Sequence, residues 1–320
     1  MSEATCPTCG SKATRYRSPG GGRFILRKCA DCALGYATPI PTGEELARFY
    51  QGFLFKPQSP QAIAEVAGDV ASSLRHFLGE WKPGTTFLDY GGGTGAYAYV
   101  AQKERMASTL FDWDEKALAY AKEELGIERV CGDTEALADN RFDIIACIHM
   151  VEHSNDLDAM MRELKRLLAP GGQILFATPH AHSIEKWLRW RHFRIYYRLL
   201  RRSGESAFKS FLLVAKPQSI LCLDPPRHLL AFTEEAFHSL ASRHGFKART
   251  EVGYNSNRLF DPRGYVLRGS FRHLPSRFLR KLARRHCEMW MYLFEWLFPK
   301  KGEQLYAVFT VEDQPQGSKT

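Results

Sequence analysis

A cluster of glycines between a short apolar run and a helical run constrains the fold of this 320-residue sequence more than any other feature. Residues 85–90 are largely apolar, four glycines follow within the next five positions, and residues 96–103 continue with helical character. When a strand, a glycine turn and a helix succeed one another, the backbone of the turn can approach a ligand closely, and the first amides of the helix point toward it. The pattern predicts a parallel α/β sheet with a ligand at the carboxyl ends of its strands.

The glycines alone leave the class of ligand open. Gly91, Gly93 and Ala96 satisfy the spacing of a dinucleotide-binding fingerprint. Asp89 stands two residues before the first glycine, where a carboxylate could accept a hydrogen bond from an ammonium group and would repel a pyrophosphate. This acid argues against a dinucleotide.

Acidic residues also end the next two predicted strands. Asp112 follows the strand 107–111 and is placed to accept hydrogen bonds from both hydroxyls of a ribose. Asp133 could accept a hydrogen bond from the exocyclic amine of an adenine. Carboxylates at three successive strand ends favour a cationic, adenosine-bearing ligand that carries no phosphates. Asp114 is expected to cap the helix that follows the second strand.

The motifs between about residues 85 and 180 resemble, in family order, those of the class I S-adenosylmethionine-dependent methyltransferases. They are DYGGGTG, FDWD, CGDTEAL, RFDIIACIHMVEHSND and LLAPGGQILFATPH. The resemblance implies a Rossmann-like, doubly wound sheet of seven strands, the last one inserted antiparallel, with S-adenosylmethionine as cofactor. The residues predicted to lie at the cofactor on this pattern are Asp89, Gly91, Gly93, Gly95, Asp112, Trp113, Asp133 and Thr134. His149 differs from the residue expected at its position in the family, and we predict that it contacts the cofactor instead. The alternative is a doubly wound domain that does not bind this cofactor.

A histidine-rich loop follows the buried strand predicted over 142–148. His149, Glu152 and His153 spell H-x-x-E-H, which also matches a zinc-protease signature. That signature requires both histidines on one helix, whereas this copy follows a strand and opens a loop. The sequence therefore favours a reaction centre of the methyltransferase kind.

The Glu-His pair resembles that of ubiquinone-type O-methyltransferases and of sugar methyltransferases that carry an N-terminal zinc domain. The resemblance implies that Glu152 and His153 sit beside the transferred methyl group. We predict that His153 is the general base, because an imidazole with an ordinary pKa of about 6.5 accepts protons at neutral pH. Glu152 could orient that ring or hold a divalent metal ion. His228, in the segment DPPRHLLAFT, is predicted to enter the same pocket. The alternative is that these histidines only order their loops.

Four cysteines near the start have the spacing of a zinc ribbon. Cys6, Cys9, Cys29 and Cys32 form two C-x2-C pairs, and each pair can present two thiolates to one ion. Four thiolates leave no open coordination position, so the predicted zinc is structural. Disulfides are the alternative, and the absence of a secretory signal argues against them. The remaining cysteines are expected to be small apolar residues of the core.

Basic and aromatic residues concentrate in the second half of the sequence. Residues 184–300 contain 23 Lys and Arg against 9 Asp and Glu, whereas the rest contains 21 against 26. Within this region, 184–223 and 255–300 exceed what the sheet needs, and we expect them to form helical lids over the acceptor. Their composition suits contact with an anionic membrane surface, and nucleic-acid binding is a weaker alternative. The alternative without a binding role is that the basic residues form a solvated face and the aromatic residues pack on the sheet.

The predicted organisation is a zinc ribbon at 1–40, a linker at 41–60, the cofactor-binding core at 61–183 and 224–254, the two insertions, and a last strand and tail at 301–320. A hydrophobic content of 44% excludes a disordered chain. No apolar run is long enough for a membrane span, so we expect a cytoplasmic protein, peripheral to the inner face of a membrane if the insertions bind lipid. The predicted function is O-methylation of a small-molecule, sugar or lipid-linked acceptor. The alternatives are an RNA base methyltransferase and a non-catalytic zinc-ribbon adaptor.

Overall fold

A computed structural model of the chain describes residues 4–19, 23–51, 57–183, 206–208, 222–253, 302 and 304–311. The helices that it describes, in chain order, are α1 (Gly43–Gln51), α2 (Pro60–Leu78), α3 (Ala96–Lys103), α4 (Glu115–Glu123), α5 (Leu157–Leu167) and α6 (Glu234–Arg243). Single turns of 3-10 helix lie at Thr134–Ala136 and Val151–His153.

The strands fall into two sheets. Those of the small sheet are β1 (Thr14–Pro19), β2 (Ile25–Cys29), β3 (Gly35–Thr38) and β9 (Leu230–Ala231). Those of the large sheet are β4 (Thr86–Tyr90), β5 (Ala107–Phe111), β6 (Val130–Cys131), β7 (Phe142–Ile148), β8 (Leu168–Pro179), β10 (Phe246–Gly253) and β11 (Gln304–Val311).

The large sheet confirms the predicted topology. Its strand order is β10-β11-β8-β7-β4-β5-β6, with β4 to β8 parallel to one another. The last strand, β11, lies antiparallel between β8 and β10. The order reverses direction between β4 and β7, and ligands in open α/β sheets bind at such a switch point, beyond the carboxyl ends of the strands.

Helices cover both faces of the large sheet, as a doubly wound fold requires. On one face Leu74 of α2 and Val100 of α3 belong to the same buried cluster as Phe87 and Leu175 of the sheet. On the other face α5 and α6 contribute the buried residues Leu164 and Phe237, which cluster with Phe176 and Phe309. Apolar residues at helical spacing therefore bury a separate set of sheet residues on each face.

The small sheet joins the cysteine segment to the main domain. Strands β1, β2 and β3 fall within the range predicted for the zinc ribbon, and the fourth strand, β9, comes from the segment after residue 222. Buried residues of the ribbon, including Leu34 and Tyr36, share a core cluster with Phe232 and Phe237. The ribbon and the main domain are therefore packed as one body at this point.

Most of the two predicted lid insertions lies outside the described residues, and so does the tail. Helix α1 begins in the stretch that the sequence suggested as a linker. Among the residues described here, no helix combines the length and the apolar character needed to cross a bilayer.

Candidate active site

The glycine turn after β4 holds its shape through backbone conformations that favour glycine. Gly91, Gly93 and Gly95 have φ angles of 69°, 56° and 80°. A side chain added at Gly93 would meet nothing within 4 Å, so open space lies above the turn at that point. The backbone amide of Gly91 donates to Phe111 O of the neighbouring strand at 2.8 Å. The turn is thereby held at the carboxyl end of β5.

Asp89 lies beneath this turn and is completely buried. Its Oδ2 accepts a hydrogen bond from the amide of Ala98 at 3.0 Å, near the start of α3, and its Oδ1 has no hydrogen-bond partner. Burial raises the pKa of Asp89 to about 7, and the neighbouring Asp112 adds to the effect while the amide of Ala98 opposes it. A buried carboxylate oxygen without a partner fits a cationic donor. The contact with a ligand ammonium stays a prediction.

Gly92 is the residue of the turn that sequence reasoning missed. A Cβ built on it would lie 2.3 Å from Asp89 Cγ and 2.4 and 2.5 Å from the two carboxylate oxygens. Only glycine therefore fits directly above the buried acid. The run of three glycines was the available signal, but spacing alone could not show which of them covers Asp89.

Asp112 follows β5 and reaches back to the glycine turn. Its Oδ2 accepts from the amide of Gly93 at 2.7 Å, and its Oδ1 accepts from the amide of Asp114 at 2.9 Å. Burial raises its pKa, and the two amides oppose that effect. A carboxylate can accept about four hydrogen bonds, so both oxygens can also accept from the hydroxyls of a ribose.

Aromatic and polar residues continue the site along the strand tips. The Trp113 side chain is 61% exposed, and its ring lies edge-on to Phe111 with centroids 4.8 Å apart. Asp133 is exposed and caps the short helix of Thr134 by accepting from the amide of Glu135 at 2.9 Å. The structure thus places Trp113, Asp133 and Thr134 after the ends of β5 and β6.

The loop after β7 places His149 and Glu152 in contact. His149 has a φ of 54°, which is uncommon for a residue other than glycine, and its Nδ1 lies 3.2 Å from Glu152 Oε1. Glu152 is 2% exposed, and its Oε2 has no hydrogen-bond partner. Burial would raise the pKa of Glu152, but the bond from His149 and the charges of His149 and His153 outweigh it and lower the pKa to about 2. Glu152 is therefore a buried carboxylate anion.

His153 is held in one tautomer by the backbone. Its Nδ1 lies 2.8 Å from Arg227 O, and a carbonyl oxygen can only accept. The hydrogen must therefore be on Nδ1, which leaves the lone pair of Nε2 as the proton acceptor. This is the form that a general base needs.

His228 reaches the same place from a distant part of the sequence. Its ring centroid lies 4.8 Å from that of His153. The next residue, Leu229, donates its amide to Glu152 O at 2.9 Å. One ligand atom each from Glu152, His153 and His228 lie within 4.8 Å of one another, so the three residues predicted for the reaction centre are brought together.

Tyr50 is a further residue at this centre that the sequence did not reveal. Its hydroxyl lies 3.0 Å from His153 Nδ1, and it comes from the end of α1, in the stretch expected to be a linker. Because the single Nδ1 hydrogen points toward Arg227 O, the Tyr50 oxygen can share it as a second acceptor. Nothing in the spacing of residues 43–51 signals this contact across a hundred residues.

The glycine turn and the histidine loop adjoin through Met150. A Cβ built on Gly91 would lie 2.7 Å from Met150 Cγ, and the amide of His153 donates to Met150 O at 3.0 Å. The predicted cofactor residues and the predicted reaction centre therefore form one continuous site at the switch point of the sheet.

The four ribbon cysteines converge as a zinc site requires. The Sγ atoms of Cys6 and Cys32 lie 3.5 Å apart, those of Cys9 and Cys29 lie 3.6 Å apart, and all four lie within 4.8 Å of one another. Tetrahedral zinc with bonds of about 2.3 Å needs sulfur atoms about 3.8 Å apart. The hydrogen bond between the two thiols lowers the pKa of Cys6 and raises the pKa of Cys32. The geometry fits a structural zinc ion.

Comparison with known proteins identifies the family of this chain. The family model described as "Methyltransferase domain" matches residues 63–251, which is more than half of the chain. The chain belongs to the methyltransferase domain family. Its fold and its motif order confirm the resemblance to the class I S-adenosylmethionine-dependent members.

Curated relatives of this methyltransferase domain are matched over part of their length. A ubiquinone biosynthesis O-methyltransferase of Coxiella burnetii is 33% identical over 102 residues, which are 30% of this chain and 44% of that protein. The malonyl-[acyl-carrier protein] O-methyltransferase of Serratia marcescens is 31% identical over 137 residues, which are 39% and 54% of the two chains. The chain thus spans about half the length of these relatives.

Solved structures support the fold of the methyltransferase domain. A phosphoethanolamine N-methyltransferase 2 of Haemonchus contortus, in complex with phosphomonomethylethanolamine and S-adenosylhomocysteine, superimposes with a TM-score of 0.51 at 16% identity. The superposition covers 94% of this chain and 71% of that one. At this identity the likeness concerns the fold alone.

Proposed function

We propose that this protein transfers the methyl group of S-adenosylmethionine to a hydroxyl oxygen of a small-molecule, sugar or lipid-linked acceptor, with His153 as the general base. The observation that carries the proposal is the bond from His153 Nδ1 to Arg227 O, which leaves Nε2 as a proton acceptor beside the buried anion of Glu152. The printed names of the curated relatives, which are O-methyltransferases, support oxygen as the acceptor atom.

The residues present fit the cofactor. The unbonded Oδ1 of Asp89 suits its ammonium group, and the carboxylate of Asp112 suits its ribose hydroxyls. The exposed ring of Trp113, with Asp133 and Thr134 beyond it, suits the adenine. When bound, the cofactor supplies an electrophilic methyl group on a sulfonium. A dinucleotide would bring a pyrophosphate to a turn that already covers a carboxylate, which disfavours that ligand.

Removal of the acceptor proton falls to His153. Its Nε2 would take the hydroxyl proton as the acceptor oxygen bonds to the methyl carbon and the bond from that carbon to the sulfonium sulfur breaks, which leaves S-adenosylhomocysteine. The charge of Glu152 would stabilise the resulting imidazolium. Arg227 O and the Tyr50 hydroxyl, both near Nδ1, hold the ring in one orientation throughout. His228, whose ring centroid lies 4.8 Å from that of His153, would line the acceptor side of this base.

A divalent metal ion is a second way to use the same residues. One carboxylate and two imidazoles, from Glu152, His153 and His228, form a donor set that suits a transition-metal ion, and Glu152 Oε2 lacks a partner. Such an ion would act as a Lewis acid on the acceptor oxygen. The lone pair of His153 Nε2 can bind a metal ion or accept a proton, but it cannot do both at once. Turnover that rises with added Mn²⁺ would therefore favour the metal, and turnover independent of Mn²⁺ would favour the base.

We propose that the basic insertions bring the site to an anionic membrane where a lipid-linked acceptor is present. Flotation with vesicles of phosphatidylcholine alone and with phosphatidylglycerol tests this, and failure to float with the anionic vesicles would contradict it. Turnover stimulated by RNA and strongly weakened by salt would instead favour the RNA base methyltransferase.

The experiment that tests the proposed function is methyl transfer from tritiated S-adenosylmethionine to a panel of hydroxylated probes, including 4-nitrocatechol and a nucleotide-linked deoxyhexose. We expect label in an ether product from at least one probe, and loss of that label in His153→Ala. Tight cofactor binding with no transfer to any probe would favour the non-catalytic adaptor.

A further inference from the structure

The zinc ribbon and the catalytic segment around His228 share a sheet. Strand β3 of the ribbon pairs with β9, with Gly35 opposite Ala231 and Tyr36 opposite Leu230. Strand β9 begins two residues after His228. The last strand of the ribbon is therefore the backbone partner of the segment that carries this histidine.

Leu229 is hydrogen-bonded both to the ribbon and to the reaction centre. The amide of Ala37 in β3 donates to Leu229 O at 3.0 Å, and the amide of Leu229 donates to Glu152 O at 2.9 Å. Leu229 is 2% exposed, so both bonds are shielded from water. Movement of β3 would consequently displace Leu229, its neighbour His228 and the loop of Glu152.

A second bond ties the same segment to the cysteines themselves. Thr233 is fully buried, and its Oγ1 donates to Cys32 O at 2.9 Å while it accepts from the amide of Ala236 at 3.1 Å as the cap of α6. A zinc ion on the thiolate of Cys32 would fix the carbonyl that Thr233 bonds. The described links of the ribbon thus lie at residues 229–233, in the segment that directly follows His228.

The cofactor half of the site depends on other contacts. The amide of Gly93 bonds Asp112, the amide of Ala98 bonds Asp89, and the amide of Gly91 bonds Phe111 O. These bonds join β4, β5 and α3. Loosening the ribbon should therefore disturb the acceptor half of the site and spare the cofactor half.

We propose that the zinc ribbon is a positioning element for the reaction centre, in which Thr233 and Leu229 transmit the order of the metal site to His228 and Glu152. The inference rests on the proposed function for its catalytic consequence, but the structural coupling can be measured without an acceptor. Small ribbons depend on their metal for order, so the zinc ion would control the reaction centre without touching the substrate.

Amide hydrogen exchange on the full chain tests the coupling. In Thr233→Val, which keeps the shape and removes the hydroxyl, we expect a full complement of zinc and at least tenfold faster exchange at Leu229 and Leu230. Exchange at Gly91 and Ala98, and the affinity for S-adenosylmethionine by calorimetry, should change less than threefold. Thr233→Ser, which restores the hydroxyl, should return exchange at Leu229 to the wild-type rate.

Two further variants separate this effect from a general loss of stability. Ser59→Ala removes a similar cap, the bond from Ala62 to Ser59 at the start of α2, and should lower the melting temperature without faster exchange at Leu229. Cys32→Ser should lose zinc and show faster exchange at Leu229 and Leu230 than Thr233→Val does. With any probe that the enzyme methylates, turnover should fall at least tenfold in Thr233→Val and recover in Thr233→Ser.

Unchanged exchange at Leu229 in both Thr233→Val and Cys32→Ser would overturn the proposal. Equal acceleration at Leu229 and at Ala98 would also overturn it, because it would show general destabilisation. Failure of the proposed function would look different: wild-type protein would not methylate any probe, while the exchange pattern would still decide whether the ribbon orders Leu229.

Discussion

Replacing Gly92 by alanine tests whether the turn needs a residue without a side chain directly above Asp89. The added Cβ would lie 2.3 Å from Asp89 Cγ, whereas carbon atoms in contact are about 3.5 Å or more apart. The turn and the carboxylate must therefore separate by about 1 Å. Asp89 cannot yield easily, because it is fully buried and is bonded to Ala98.

The cost follows from the size of this clash. Overpacking of a well-packed interior costs about 1–3 kcal/mol. If the displacement falls on the turn that receives the cofactor, affinity for S-adenosylmethionine should drop by about 5- to 150-fold, since each 1.4 kcal/mol is about a factor of ten. Titration calorimetry with S-adenosylmethionine measures this directly, and thermal unfolding shows how much of the cost falls on folding.

A matched substitution and a double mutant sharpen the test. Gly68→Ala makes the same chemical change within α2, where an added Cβ would meet nothing within 4 Å, and should leave the affinity unchanged. In an Asp89→Ala background the clash is removed, so Gly92→Ala should cost much less than it does in wild type. Wild-type affinity and stability in Gly92→Ala would refute the reasoning, and so would equal costs in the two backgrounds.

Three further predictions concern the acids and the base. His153→Ala should lower turnover on a methylated probe by about 100-fold or more while S-adenosylmethionine affinity changes little; a fully active variant would exclude the histidine as base. Asp112→Ala should weaken S-adenosylmethionine binding by about 100-fold or more, because charged hydrogen bonds contribute about 1.5–3 kcal/mol each and two would be lost; unchanged affinity in calorimetry would remove the ribose assignment. Since the pKa of Asp89 is raised to about 7, its contribution to the stability of the ligand-free protein is present in acid and is lost as the pH rises from about 4 through 7. Asp89→Asn should lack this dependence in thermal unfolding between pH 4 and 8, and parallel profiles of the two proteins would contradict it.

The central sheet could be predicted from the sequence because its signals are local. The strands at Ala107–Phe111 and Phe142–Ile148 and the helix at Ala96–Lys103 have the predicted limits, since apolar runs bounded by polar residues mark buried parallel strands. Asp114 caps α4 as expected, by accepting from the amide of Lys116. Each of these features depends on residues only a few positions apart.

Contacts between residues that are far apart in the sequence could not be predicted from it. Tyr50 meets His153 across about a hundred positions, and Thr233 meets Cys32 across two hundred. No periodicity or spacing encodes such pairs, because they depend on how α1 and β3 pack against the finished sheet. For the same reason the sequence predicted a ribbon over 1–40 without revealing that its third strand pairs with β9.

The candidate site was predicted in part. The residue types and their positions at strand ends were readable, and the structure brings Glu152, His153 and His228 together. The tautomer of His153 could not be predicted from the sequence, because it is set by the backbone carbonyl of Arg227. Every residue has such a carbonyl, so the residue type gives no signal. The need for glycine at position 92 could not be predicted either, since it depends on how closely the Asp89 carboxylate lies beneath the turn.

The most direct test of the whole account is calorimetric titration of the purified protein with S-adenosylmethionine and, in parallel, with NAD. We predict saturable binding of one S-adenosylmethionine per chain, lost in Asp112→Ala, and no binding of NAD. Binding of NAD in its place, or binding of neither compound by folded protein, would contradict the assignment of this crevice.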